Sequence, residues 1–495
     1  MKRQIISFVL LLTVSYLTAQ NASDALRYSR IFYGGSARFQ GLGGAFGAVG
    51  ADFSVTATNP AGIGLYKSAE MSFSPSLFIN HSISDYNGTN GTDTKGNVGM
   101  GNLGLVFSIP SSTASKGGFR GFTVAFGVNR QNDYNSRVTM EGNNKQSSIL
   151  TDFTNKLNSF PGGISPNMIN DQYPFDIGLA YGTDLIYADS ASNSYKSDFD
   201  VAPPAQRAVY QRKSVSSHGS INELNLSFGA NYEDKLYFGA TIGIPFIRYF
   251  ETSQYQEFQN DTSIHYFRSL TYDQSLETHG TGINLKIGVI YRPANWFRIG
   301  AAIHTPTYYG NMRDSWNSQM TAEIAYEKNT ITTNYQESPL GTYDYQMTTP
   351  FRAIGSIAFI IGSYGLVSGE YEYVNYNQAR FYDSSNGYND LNKEIKAKYT
   401  SPVNVRAGTE WRIQNFRVRG GFGYYGSPYQ SGIKTGEKYL VSGGLGYRGK
   451  HFFCDLAYIW SQTKDDYYFY DSALVNPSHN IYTAHSVVAT FGVRF

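Results

Sequence analysis

The chain has 495 residues, and its 51 Gly, 41 Tyr and 32 Phe against only 16% charged residues suit half-buried strands and speak against a mainly helical fold. A net charge of +2, from 40 basic and 38 acidic residues with no Lys/Arg cluster able to neutralise a phosphate backbone, speaks against nucleic acid as a partner. The single cysteine, Cys454, allows no intrachain disulfide, so the fold must hold by packing and backbone hydrogen bonding.

Met1 to Ala19 reads as a secretory signal: Lys2 and Arg3 are basic, Ile5 to Val14 is apolar, and Leu17-Thr18-Ala19 suits cleavage before Gln20. No later stretch is long and apolar enough to span a bilayer as a helix. A membrane location would then require a closed barrel, the other structure that satisfies every backbone polar group in lipid. Residues 20 to 68 do not read as strands. Their Gly41-Leu42-Gly43-Gly44-Ala45-Phe46-Gly47-Ala48-Val49-Gly50 run lets backbone approach backbone closely, which suits packing inside another structure.

From residue 69 onward, fourteen segments alternate apolar and polar residues with period two, the pattern of strands that are apolar outside and polar inside. They are Ala69–His81, Asn97–Pro110, Phe119–Asp133, Ser220–Tyr232, Leu236–Phe250, Leu276–Arg292, Trp296–Pro306, Pro350–Ile361, Gly365–Asn375, Ser401–Arg412, Phe416–Gly426, Tyr439–Arg448, Phe452–Gln462 and Ala484–Phe495. The connections alternate between tight turns, such as Glu233-Asp234-Lys235 and Gln414-Asn415, and long polar loops at 82–96, 134–219, 251–275, 307–349, 376–400, 427–438 and 463–483. Such parity marks an outer-membrane barrel with short periplasmic turns, long outer loops and, for an even strand number, both termini in the periplasm. The fold class expected is therefore all-β: a 14-stranded antiparallel transmembrane barrel with an N-terminal plug in its lumen. A barrel of that size is wider than those filled by their own side chains, so an internal plug of about fifty residues is physically sensible. The last strand puts His485, Val487, Ala489, Phe491, Val493 and Phe495 on one face and ends on an aromatic residue, like the C-terminal signal of outer-membrane barrels.

In the 134–219 loop, Ile149, Phe153 and Leu157, and then Ile177, Tyr181 and Leu185, recur at helical spacing and predict two short amphipathic helices. Their apolar faces either pack on each other or shape a greasy groove that admits a ligand. Facing the lumen should be Lys286, Arg298, His304, Arg352, Glu370, Glu372, Arg406, Glu410, Arg417, Arg419 and Asp455. Such groups either pair with one another and clamp the plug, or supply an Arg for a ligand carboxylate. The eight His are scattered with no metal-binding spacing, and no nucleophile elbow stands at a strand-to-helix turn, so neither an enzyme, a metal site nor a cofactor is expected.

Several motifs carry a resemblance. Asp24-Ala25-Leu26-Arg27-Tyr28-Ser29, Gly34-Gly35-Ser36-Ala37-Arg38, Gly41 to Phe46, Ala51-Asp52-Phe53-Ser54 and above all Asn59-Pro60-Ala61-Gly62-Ile63-Gly64 resemble the FadL/TodX family of outer-membrane transporters, in the versions found in Bacteroidetes. The resemblance is specific over residues 24 to 80 and architectural beyond. It implies that Asn59, Pro60, Ala61 and Gly62 lie in a hatch inside a 14-stranded barrel. It also implies passive transport of hydrophobic compounds such as long-chain fatty acids, with the ligand bound in the barrel and the hatch as gate. Family members release ligand sideways through a gap at a kinked third strand, for which Gly121 and Gly127 are the only hints here. The alternative is a non-transporting barrel that serves as subunit or scaffold in a protein export or assembly complex, since long Tyr- and Asn-rich loops suit protein partners. The partners expected are thus outer-membrane lipids, a hydrophobic small molecule and, on the second reading, other outer-membrane proteins.

Overall fold

The computed structural model describes residues 21–110, 118–160, 163–259, 264, 266–327, 330–383, 387–430 and 435–495; the expected signal segment Met1 to Ala19 lies outside them. All fourteen expected strands are present: β1 (Glu70–Tyr86), β2 (Thr89–Pro110), β3 (Phe119–Asp133), β4 (Val209–Tyr232), β5 (Leu236–Gln259), β6 (Phe267–Ala294), β7 (Phe297–His304), β8 (Arg352–Ile361), β9 (Gly365–Val374), β10 (Val403–Ile413), β11 (Phe416–Tyr425), β12 (Lys438–Arg448), β13 (Phe452–Tyr467) and β14 (Ser478–Arg494). Each pairs antiparallel with its neighbours, and β14 returns to β1 from Glu70↔Arg494 to Asp85↔His479, which closes the barrel.

Alternation explains why the ring forms. Outward residues are apolar and exposed on every strand, among them Phe73, Phe107, Phe126, Phe228, Ile242, Ile287, Ile299, Ile357, Val367, Trp411, Phe422, Val441, Leu456 and Phe491. Inward residues are buried and largely polar, such as Ser74, Asn102, Asn225, Thr241, Ser356, Glu370 and Thr490. A belt of exposed apolar side chains all round a closed sheet fits an outer-membrane protein. No helix among the described residues is long and apolar enough to cross a membrane.

The wall is lopsided. β8 to β12 have 10 or 11 residues each, close to the ~9–11 that cross a bilayer. β4, β5 and β6 run to 24, 24 and 28 residues. Beyond Pro306, which offers no ladder donor, the β7 stave resumes as Tyr308–Glu327. Three expected loops are thus largely strand. Segment 82–96 is the tip of the β1–β2 hairpin, turning at Asn87-Gly88 with φ of 49° and 82°, and 251–275 continues β5 and β6. Segment 307–349 holds Tyr308–Glu327, Thr330–Glu337 and Gly341–Thr348. In these tall ends the outward face is polar and the inward face carries only scattered apolar residues such as Tyr255, Leu270 and Met320, so the alternation that reveals a membrane strand is lost while the backbone ladder persists.

At the long-loop end the 134–219 segment folds into a cap. Its helices α3 (Ile149–Asn158) and α4 (Ile177–Gly182), which follow two N-terminal helices described below, stand where helical spacing predicts them, except that α4 ends at Gly182 and leaves Leu185 in the turn beyond. Ser148 caps α3, its hydroxyl accepting from the Leu150 N–H at 3.0 Å. The strand Ser136–Asn144 pairs with Val209–Ser217 at the tall end of β4.

Candidate functional site

Residues 21–66 pack on the inward faces of the strands. Helix α1 (Ala22–Ser29) starts in a capping box between Asn21 and Asp24, and α2 (Ala37–Gly41) starts at Ser36. Two 3-10 turns follow, Phe53–Ala57 capped by Asp52 and Pro60–Leu65 capped by Asn59. In the second, Pro60 occupies the first helical position, where no N–H is needed, and the Asn59 Oδ1 accepts from the Ala61 N–H at 3.1 Å. The Asn59 Nδ2 donates to Gly47 O at 2.6 Å and to Val289 O, on β6, at 3.2 Å. Asn59 to Gly62 is therefore a folding motif that ties two parts of the segment to the wall.

Strand glycines make the seat. A Cβ added at Gly239 would overlap Pro60, at Gly288 it would overlap Asn59, and at Gly408 and Gly421 it would overlap Leu42 and Gly43. Backbone thus lies on backbone at three strands, and at Gly288 the Asn59 side chain takes the space. Sequence reasoning missed these glycines as a group, although a glycine at an inward strand position signals such an approach.

Ionic bonds complete the attachment. Arg352 pairs with Glu372 at 2.6 Å and donates to Ser29 O. Arg406 bridges Glu370 at 2.6 Å and Glu372 at 2.9 Å, and Glu370 accepts from the Gly47 N–H at 2.7 Å. Arg38 of the segment and Arg419 both reach Glu410, at 3.0 and 2.8 Å, and Arg419 also reaches Asp455 at 2.7 Å. Arg298 donates to Val49 O at 2.7 Å, Lys286 pairs with Glu223, and the Nε2 of His304 bonds Thr58 O at 2.6 Å. Arg298, Arg352, Arg406, Arg419, Glu370 and Glu372 are thus brought together around the segment. Arg417 is the exception: half-buried at the short-turn rim, it donates to Gln414 O and Phe416 O of its own hairpin, both at 2.7 Å.

The wall is irregular beside this segment. β2 pairs with β1 along its length but with β3 only from Asn102↔Asn129 to Pro110↔Gly121. Beyond Asn129, β3 leaves β2 through a bulge between Arg130 and Asn132, and its edge accepts the Phe32 N–H at Gln131 O and the Gly34 N–H at Arg130 O, both at 2.9 Å. Farther out, side chains of β1 replace a backbone ladder: Asn80, Ser82 and Ser84 donate to the carbonyls of Asn135, Arg137 and Thr139 at 3.3, 2.7 and 2.6 Å. The glycine hint held no sign of this departure, which depends on what the freed edge can pair with.

A cavity of about 170 Å³ lies where the segment, the end of β3 and strands β12 to β14 meet. Phe78, Leu440, Ile459 and Val488 form its apolar side, and Phe32 to Gly35 its other wall. Arg130, Lys438 and Arg406 bring positive charge. Arg130 pairs with Asp133 at 2.6 Å and Arg406 with its two glutamates. The Lys438 Nζ lies 3.9 Å from the centre of the Phe32 ring, and no ion pair to it is found among the described residues.

The six residues expected to flank a ligand-admitting groove lie elsewhere. Ile149, Phe153, Leu157, Ile177 and Leu185 are buried and Tyr181 half-buried, packed with Tyr86, Met140, Tyr255, Leu270, Met320 and Phe469 as the core of the cap. No cluster of three or more His, Cys, Asp or Glu able to hold a metal forms among the described residues.

No protein-family model matches the sequence, and no curated protein matches it either. Solved structures do. One is a Pseudomonas aeruginosa FadL homologue, at 11% identity, covering 94% of this chain and 99% of that one with a TM-score of 0.52. Another is the toluene transporter TodX of P. putida, at 10% identity, covering 93% of this chain and 99% of that one, also with a TM-score of 0.52. The barrel has the FadL/TodX fold. At such identities the likeness is one of fold, and it extends over nearly the whole of both chains.

Proposed function

We propose that this chain is a passive outer-membrane channel of the FadL/TodX type for hydrophobic compounds that carry an anionic headgroup, long-chain fatty acids among them. Residues 20–68 act as its hatch and residues 69–495 as its barrel, with the short turns and both termini in the periplasm and the cap outside. The observation that supports this reading best is the cavity beside the segment, apolar at Phe78, Leu440, Ile459 and Val488 and cationic at Lys438. An ammonium with no ion pair among the described residues, in a partly apolar pocket, suits a carboxylate, because a charge-assisted bond is strong where water is scarce. The cap core covers the outer end, so admission of ligand requires the cap to shift, and the side-chain-stitched seam between β1 and Ser136–Asn144 offers a lateral way out.

Mass spectrometry of purified protein should find bound fatty acid, and a deletion strain should take up fatty acid more slowly than its parent. Absence of lipid together with normal uptake would sink the proposal. Hatch gating has its own check. Gly239→Val intrudes on Pro60, so it should unseat residues 59–62 and raise leakage of small solutes; a tight Gly239→Val barrel would argue against a gate.

A further inference from the structure

On the other side of the N-terminal segment, at the short-turn mouth, lies a larger hollow of about 640 Å³, within the range of small-molecule sites. Its charge is one-sided. Arg38, Lys67, Lys235, Arg292, Arg298 and Arg412 line it against only Glu233 and Asp234. Nearby Glu410 serves Arg38 at 3.0 Å and Arg412 at 3.7 Å while also holding Arg419, so it cannot neutralise the rest. For Lys67, Lys235, Arg292 and Arg298 no ion pair is found among the described residues. Arg298 spends one N–H on Val49 O at 2.7 Å and Arg292 one on Asn295 Oδ1 at 2.6 Å, and each keeps a buried Nε–H without an acceptor. Like charges gathered in a concavity raise a local positive potential that an entering anion would relieve. Val49, Leu65, Ile360 and Leu366 supply an apolar wall next to these cations.

We propose that this mouth is a second, anion-selective binding site that takes the carboxylate of an amphiphilic molecule as it leaves the barrel. It rests on the reading that the channel passes anionic hydrophobic compounds, and it places their release at the mouth in addition to any lateral gap. The apolar wall beside the cations favours a small amphiphile over an acidic protein segment, whose carboxylates would leave that wall uncovered.

Dodecanoate and its methyl ester, titrated against the full-length protein in neutral-lipid nanodiscs at low and high salt, separate the alternatives. Wild type should bind dodecanoate at two sites and the ester much more weakly. The exposed-lysine variant Lys67→Glu/Lys235→Glu should lose at least tenfold in affinity at one site only, and Lys438→Ala at the other only. Salt should weaken the first loss-prone site in wild type and have little effect in the double variant. Two-site binding unchanged by Lys67→Glu/Lys235→Glu would overturn this inference and leave the proposed function standing. Equal binding of ester and acid at the mouth would also overturn it, as would capture there of a glutamate-rich peptide in preference to dodecanoate. Failure of dodecanoate at both sites, with a neutral hydrocarbon still bound, would instead remove the anionic-substrate reading on which the inference rests.

Discussion

The barrel encloses two kinds of interior. The cap at the long-loop end closes on aliphatic and aromatic side chains, with Leu150, Phe153, Leu157, Ile177, Met320 and Ile324 buried together. The N-terminal segment has an apolar core too, with Phe39, Leu42, Phe46, Phe53 and Val55 buried, but it adds close seating on glycine backbone and bonds to buried ion pairs of the wall, above all Arg352–Glu372 and Arg406–Glu370. Apolar burial is non-directional and tolerates a shift of the parts, whereas buried charge holds one arrangement and penalises every other. The contrast is one of degree: the cap is held chiefly by apolar contact, with Glu257 accepting from the Ile149 N–H at 2.9 Å, while release of the segment means exchanging several specific partners.

The largest test of that contrast is Arg406→Ala. It leaves Glu370 and Glu372 short of their shared counter-charge, and breaking a buried pair from one side costs about 3–5 kcal/mol. Hydrogen exchange should quicken across residues 21–66 while the cap stays protected; equal quickening in both would show that they are one unit. Phe153→Ala is the mirror experiment, removing a buried cap side chain at about 3–5 kcal/mol locally, with faster exchange over 149–185 and an unaltered N-terminal segment.

A smaller effect comes from pH. Burial pushes the Asp24 carboxyl in α1 up to about 6 from the ordinary 3.8, against the pull of Arg27 and the Asn21 N–H. Because the docked form prefers the proton, this contribution to α1 docking is full below about 4 and is lost as pH rises through about 6. Protection factors of residues 22–29, in which the intrinsic pH dependence of exchange cancels, should therefore fall from pH 4 to 7 in the parent, and Asp24→Asn should flatten that profile. The smallest effect belongs to Arg417→Ala, within about 0.5 kcal/mol in urea unfolding, since its bonds go to its own hairpin. A larger loss would return Arg417 to the lumen network.

The membrane-level barrel was legible residue by residue. In β3, Phe122 and Phe126 face outward and Thr123 and Ala125 inward, as alternation requires. Much of the inward charge was legible too, because an ionisable residue on the polar face of a membrane strand has only the lumen to face. Less legible was Arg417, one step from the rim, where period two puts it on the lumen face but the chain end lets it turn back. The helical spacing indicated a helix at 149–157 and one from 177, which stops at Gly182 short of Leu185, yet not whether their apolar faces met a ligand or the wall. That depended on how far β4, β5, β6 and Tyr308–Glu327 rise to meet them.

Local chemistry thus set strand number, facing, turns and the capped Asn59-Pro60 turn, since each depends on residues close in sequence and on one solvent boundary. Tertiary structure alone decided what meets across the lumen: Arg406 with Glu370, Gly239 with Pro60, Phe32 with the freed edge of β3, and Lys438 with the Phe32 ring. Those contacts join residues scores to hundreds of positions apart, and no period or motif encodes a distance until the sheet has closed.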